Sequence, residues 1–141
     1  LRLIAVIPDF KLSTEMARQV LPEKVSHMDA RYNLSRAALF SASLLQGKYE
    51  NIRIAVEDRL HQPYRMKLIH HAQEVFARAY ALGAYGVYIS GAGPTMMAIV
   101  DGGEAGFVSS LRSYLGELQL DGWKIEELSI DNDGTKVETI S

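Results

Sequence analysis

The chain has 141 residues, 48% of them hydrophobic and 23% charged, with a formal net charge of -2. That length and balance fit one globular domain with its own core, and so small a charge gives no electrostatic reason to expect nucleic acid or an anionic membrane as a partner. There is no cysteine, so disulfides, thiolate metal sites and a thiol nucleophile are excluded, which fits a cytoplasmic location.

Residues 1 to 7 are mostly aliphatic and end at Pro8, as a buried strand does. Because the chain opens inside that run without an initiator Met, it is expected to be a piece of a longer protein. No apolar run approaches the roughly 20 residues that span a bilayer. Ser13 or Thr14 is placed to cap a short helix that stops before Pro22. Ser26 with Asp29 three residues on predicts a capping box, opening a longer helix through Ala37, Ala38, Leu39 and Leu44 to Gly47. A further helix is expected over residues 49 to 59, with a break at Pro63. From Leu68 the positions Ile69, Ala72, Phe76, Ala79 and Tyr80 keep helical spacing, and Gly83 suits a C-cap.

Val87 and Ile89 alternate with Tyr88 and Ser90, which predicts a strand, and Met96 to Val100 reads as a second, wholly apolar one. Val108, Leu111, Leu115 and Leu118 mark one helix face. Trp123 to Ile130 alternates again, and Thr135 to Ile140 is expected to be an edge strand or a loose tail. Leaving out the helical insert at 13 to 62, the order is β-α-β-β-α-β. That is an α+β domain of the ferredoxin-like kind, with two helices packed on one face of an antiparallel sheet. No repeat or linker divides it, so residues 1-141 are expected to form a single domain.

Between the strands expected at 87–90 and 96–100 lies the turn Ser90-Gly91-Ala92-Gly93-Pro94-Thr95. It lacks the Lys of a Walker A loop, and Met96 stands where a dinucleotide fingerprint needs its third glycine. Both motifs lead into a helix, whereas this turn leads into a strand. Two readings remain open: a hairpin whose glycines serve only its geometry, or a bend that lets backbone amides approach an anion. Residues 58 to 65, Asp-Arg-Leu-His-Gln-Pro-Tyr-Arg, put six polar side chains into eight positions beside a proline, either a solvated connector or part of a site. His61 is a candidate acid/base group or an ordinary surface or capping histidine. Arg18 and Arg36 fall on predicted helices. Each is a solvated or ion-paired stem, or one of them joins Arg65 in a two-pronged grip on a carboxylate. His70 and His71 are adjacent and lack the spacing of helical metal ligands, so no metal site is expected in this chain. No nucleophile motif and no catalytic residue is evident.

Taken together, IPDFKLSTEMARQVLP, NLSRAALF, DRLHQPYR and SGAGPT, in that order, are specific. The chain closely resembles the C-terminal domain of the bacterial homoserine kinases, within the GHMP kinase superfamily, from residue 1 to about 130. The resemblance implies the ferredoxin-like fold already read from the pattern. It also implies ATP-dependent phosphorylation of the hydroxyl of L-homoserine, on the way to threonine. Gly91, Ala92 and Gly93, flanked by Ser90 and Thr95, match the superfamily's third motif, which supports the phosphate-binding loop. Arg18 and Arg65 match the arginines thought to grip the substrate carboxylate.

The family's Pro-x-x-x-Gly-Leu-Gly-Ser-Ser nucleotide loop, its Mg2+-holding Ser and Glu and its substrate-binding Asn occur nowhere in these 141 residues. The resemblance thus implies that ATP and Mg2+ are bound mainly by an N-terminal ATP-binding domain that this chain lacks. Phosphoryl transfer rests on positioning and charge neutralisation, so the chain alone is expected to be inert. A homodimer is common in the family. The alternatives are another GHMP kinase, of the mevalonate or diphosphocytidyl-methylerythritol type, or a non-catalytic ferredoxin-like module that binds a small ligand. The leading reading requires Arg18 and Arg65 to converge beside residues 90 to 95.

Overall fold

The computed structural model describes residues 1–103 and 105–138. Strand β1 spans Arg2–Ile7 and is followed by four helices: α1 Thr14–Gln19, α2 His27–Gln46, α3 Ile52–Ala55 and α4 Gln62–Arg65. Helix α5 (Ala72–Ala81) leads to β2 (Gly86–Ile89) and β3 (Met96–Val100), and α6 (Phe107–Glu117) leads to β4 (Lys124–Leu128). The sheet order is β2-β3-β1-β4 with every pairing antiparallel. This is the split β-α-β-β-α-β arrangement that the pattern predicts. Among the described residues no helix is long and apolar enough to cross a membrane.

As a central strand, β1 is buried on both faces through Ile4, Ala5 and Val6. On one face Ile4 and Val6 join Val87, Ile89, Met96, Ala98 and Val100 against Ala72, Val75 and Ala79 of α5 and Phe107, Leu111 and Leu115 of α6. The opposite face, where Gly86 sits by the alternation of β2, is approached by α3. A Cβ at Gly86 would lie 2.7 Å from Ile52 Cγ2 and 3.2 Å from Val56 Cγ1.

Local chemistry sets the helix ends. Ser13 Oγ accepts the Met16 amide at 3.1 Å to start α1. Ser26 Oγ accepts the Asp29 amide at 3.0 Å and donates to its carboxylate at 2.6 Å to start α2. Gly47, left-handed at φ 66°, ends α2 with its N–H on the Leu44 and Ser43 carbonyls.

The expected helix over 49 to 59 is instead a 3₁₀ turn at Tyr49–Asn51 and the four-residue α3. The chain leaves the helix there because Asp58 turns its buried carboxylate onto the amides of His61 and Gln62. Similarly, the helix expected from Leu68 begins only at Ala72, since Ile69 is extended and His71 adopts φ 60°. Strand β4 stops at Leu128, opposite Leu3, so β1 has little left to offer Ser129 and Ile130. Residues 135–138 form no strand, and 139 and 140 of the expected edge strand lie outside the described residues.

Candidate functional site

Helix α4 is a single turn, too short to hold its own place, and its orientation comes from polar side chains. Asp58 Oδ2 accepts the amides of His61 at 2.8 Å and Gln62 at 2.5 Å, while Oδ1 accepts from Asn33 Nδ2 at 2.5 Å. Burial pushes the Asp58 carboxyl up, but these hydrogen bonds favour its ionised form and hold it below the usual aspartate range. Pro63 occupies the first turn, where its missing N–H costs nothing.

One turn after Gln62, α4 presents Arg65. Its Nε–H donates to the Ala17 carbonyl of α1 at 3.0 Å, and Nη1 donates to the Gly91 carbonyl at 2.8 Å. Nη1 also lies 3.5 Å from His61 Nδ1. The guanidinium therefore bridges the first helix and the glycine turn, and among the described residues its Nη2 makes no hydrogen bond. Arg18, the residue after Ala17, is exposed, and among the described residues its guanidinium has no ion pair.

Arg36 does not share this position. It donates to Glu57 at 3.1 and 3.3 Å and stacks on Tyr32 at 4.1 Å, which makes it an ion-paired stem. His61 lies between Arg65 and Asp58, with Nε2 3.9 Å from Asp58 Oδ1. Burial and the neighbouring Arg65 cation lower the His61 pKa from its ordinary 6.5, against the opposing pull of Asp58, so the ring is neutral at pH 7.

The glycine turn is a tight link between β2 and β3. Ser90 N–H donates to the Thr95 carbonyl at 2.8 Å and Gly93 N–H to the Ser90 carbonyl at 2.9 Å, and the Gly93–Pro94 peptide is cis. Gly91 has φ 55° and open space around its Cα, whereas Gly93 has φ 82° and would press a Cβ to 3.2 Å from both Ile69 and Ile89. Gly93 is thus required twice, by its backbone conformation and by the core beneath it. Among the described residues the amides of Gly91 and Ala92 have no hydrogen-bond partner. No group of three His, Cys, Asp or Glu side chains among them could hold a metal ion.

The structure thus brings Arg65, the end of α1 carrying Arg18, and the turn 90–95 into one neighbourhood. Gln62 and Asn33 also belong to it, although the sequence reading assigned them no role. Gln62 lies in the polar stretch 58 to 65 and Asn33 opens the NLSRAALF motif, but neither location gives the residue's partner, which for Asn33 lies 25 residues on. Surface cavities of about 520 and 310 Å³ flank α4 and share Asp58 and Gln62 in their walls, while Arg18, Arg65 and the turn lie outside both.

Comparison with known proteins agrees with this architecture. The model of the family described as "GHMP kinases C terminal" matches residues 40–114. The chain is 47% identical over 133 residues to a homoserine kinase of Clostridium botulinum, covering 94% of this chain and 44% of that protein. It is 39% identical over 137 residues to a homoserine kinase of Clostridium acetobutylicum, covering 97% and 46% respectively. The crystal structure of a homoserine kinase from Cytophaga hutchinsonii superposes with a TM-score of 0.83 at 22% identity, over 92% of this chain and 41% of that one. The last likeness carries the fold alone. The chain spans a little under half the length of the curated relatives it matches.

Proposed function

This chain belongs to the GHMP kinase C-terminal family, and from that premise we propose that it is the substrate-side part of an ATP-dependent homoserine kinase. In this reading Arg65 and Arg18 hold the carboxylate of L-homoserine, and the turn 90–95 stands beside the nucleotide's phosphates. The observation that carries the reading is the bridge made by Arg65, bonded to Ala17 on one side and Gly91 on the other. A carboxylate held there lies next to the turn, so a short amino acid can extend its hydroxyl toward a phosphate.

Arg65 suits the task because a guanidinium stays charged at any physiological pH and meets both carboxylate oxygens in one plane. Gly91 and Ala92 offer two unpartnered amides on a bend without bulky side chains, suited to an anion or to the loop that carries it. ATP supplies the transferable phosphoryl group. The metal and most of the nucleotide are assigned to the N-terminal ATP-binding domain that the family resemblance implies, since Mg2+ in such sites is held by one or two carboxylates together with the substrate phosphates. No residue of this chain is assigned as catalytic. Its part is positioning, which dominates phosphoryl transfer. A biosynthetic kinase of this kind works in the cytoplasm.

The test uses the protein extended to its relatives' full length. Arg65→Ala is expected to raise the KM for L-homoserine by about 30-fold or more, the loss of about 2 kcal/mol or more that truncating one partner of a buried charged contact brings. The KM for ATP should change little. Unchanged constants for both substrates would remove the assignment. A panel of acceptor alcohols, with mevalonate among them, checks that L-homoserine is the preferred one.

A further inference from the structure

The kinase reading gives no task to Gln62, yet this residue is unusual in the fold. Only Ser43 and Gln62 are buried polar residues among those described, with 2% and 8% of their surface exposed. A primary amide is kept in such a place only when both of its ends are satisfied. Both are: Oε1 accepts the Ile89 amide at 2.8 Å, and Nε2 donates to the Val56 carbonyl at 3.1 Å. Its own backbone amide is held by Asp58.

Ile89 is the last residue of β2, which lies at the edge of the sheet. Its N–H points away from β3, where an edge strand has no neighbour, and the Gln62 side chain takes the place of the missing strand. Two residues further on, the Gly91 carbonyl is gripped by Arg65, which follows Gln62 by one helical turn. Helix α4 therefore holds the same stretch of chain at two points, 89 and 91. Asp58 fixes where the helical turn starts and Arg65 ties its end to Ala17 and Gly91; the Gln62 bond to Ile89 adds the tie that fixes the start of the helix against the strand end.

We infer that Gln62 is a positioning residue: by binding the Ile89 amide it sets the direction of α4 and so aligns the Arg65 guanidinium with the glycine turn. The inference rests on the proposed role of Arg65 as substrate anchor, and it adds that the anchor's register with the phosphate side is set from behind by a neutral amide that touches neither substrate.

The experiment uses the full-length protein with Gln62→Leu, which keeps the volume and removes both bonds, and Gln62→Glu, which keeps an acceptor for Ile89. Arg65→Ala runs in parallel, and all rates are scored per folded molecule, so that lost stability alone moves nothing. In Gln62→Leu the Arg65 Nε–H, protected in the parent by Ala17, should exchange with solvent about tenfold faster by NMR, and the KM for homoserine should rise about tenfold at an unchanged KM for ATP. Gln62→Glu should restore most of both.

Unchanged Nε–H exchange in Gln62→Leu overturns the inference. So does faster exchange with an unchanged homoserine KM when Arg65→Ala raises that KM. Faster exchange with the KM unchanged in both variants leaves the alignment standing and removes Arg65 as the substrate anchor instead.

Discussion

His61 shows how the environment of one residue decides its chemistry. Burial and Arg65 lower its pKa in the folded protein, so the unfolded chain binds a proton at a pH where the folded chain does not. Stability is therefore complete above the ordinary value of 6.5 and is lost as pH falls from there through the lower folded value. Denaturant unfolding of this chain between pH 7.5 and 5 should show a shallow decline, because the ring is partly solvated, and His61→Asn should flatten it. An equal slope in the variant would assign the decline to another group. At the same scale, the polar stretch 58 to 65 was visible in the sequence as a concentration of functional groups, but its division of labour was not. Arg65 reaches a carbonyl 48 residues before it and another 26 residues after it, and nothing in the local order of residues records such partners.

Among the elements, those whose ends are set by neighbours in the chain were the most legible. Ser26, Asp29 and Gly47 bound α2 because each cap is completed within a few residues. The stretch from 49 to 71 was legible only in part, since Asp58 and the left-handed His71 interrupt a pattern that apolar spacing alone would continue. Gly86 is another case. In sequence it merely opens a strand, whereas in the fold α3 lies so close that any side chain meets Ile52. Gly86→Ala should destabilise the chain by about 1–3 kcal/mol through overpacking, measured by denaturant unfolding. A change within about 0.5 kcal/mol would mean that α3 yields easily, as surface segments do.

For the whole molecule, the burial of one sheet face under α5 and α6 dominates stability. Phe107, 2% exposed, is among the largest fully buried side chains of that layer, so Phe107→Ala should cost about 3–5 kcal/mol. Leu45 on α2, 88% exposed, is apolar without being core, and Leu45→Lys should stay within about 0.5 kcal/mol. Thermal or denaturant unfolding of the two variants side by side would reveal a different core if the order of effects were reversed.

The strand and helix succession, the α+β class and the split ferredoxin-like connectivity were determined by the amino-acid order itself, because periods of 2 and 3.6 residues, caps and glycine turns are written in adjacent positions. The motifs that suggested a kinase are likewise short and contiguous. Only the tertiary structure decided that α4 would be a lone turn held by Asp58, that Arg65 would join α1 to the turn at Gly91, and that Gln62 would bind the sheet edge. Those bonds of Arg65 and Gln62 join groups 26 to 48 positions apart, which only the packing of the chain brings together, and that packing is not recorded in any one segment.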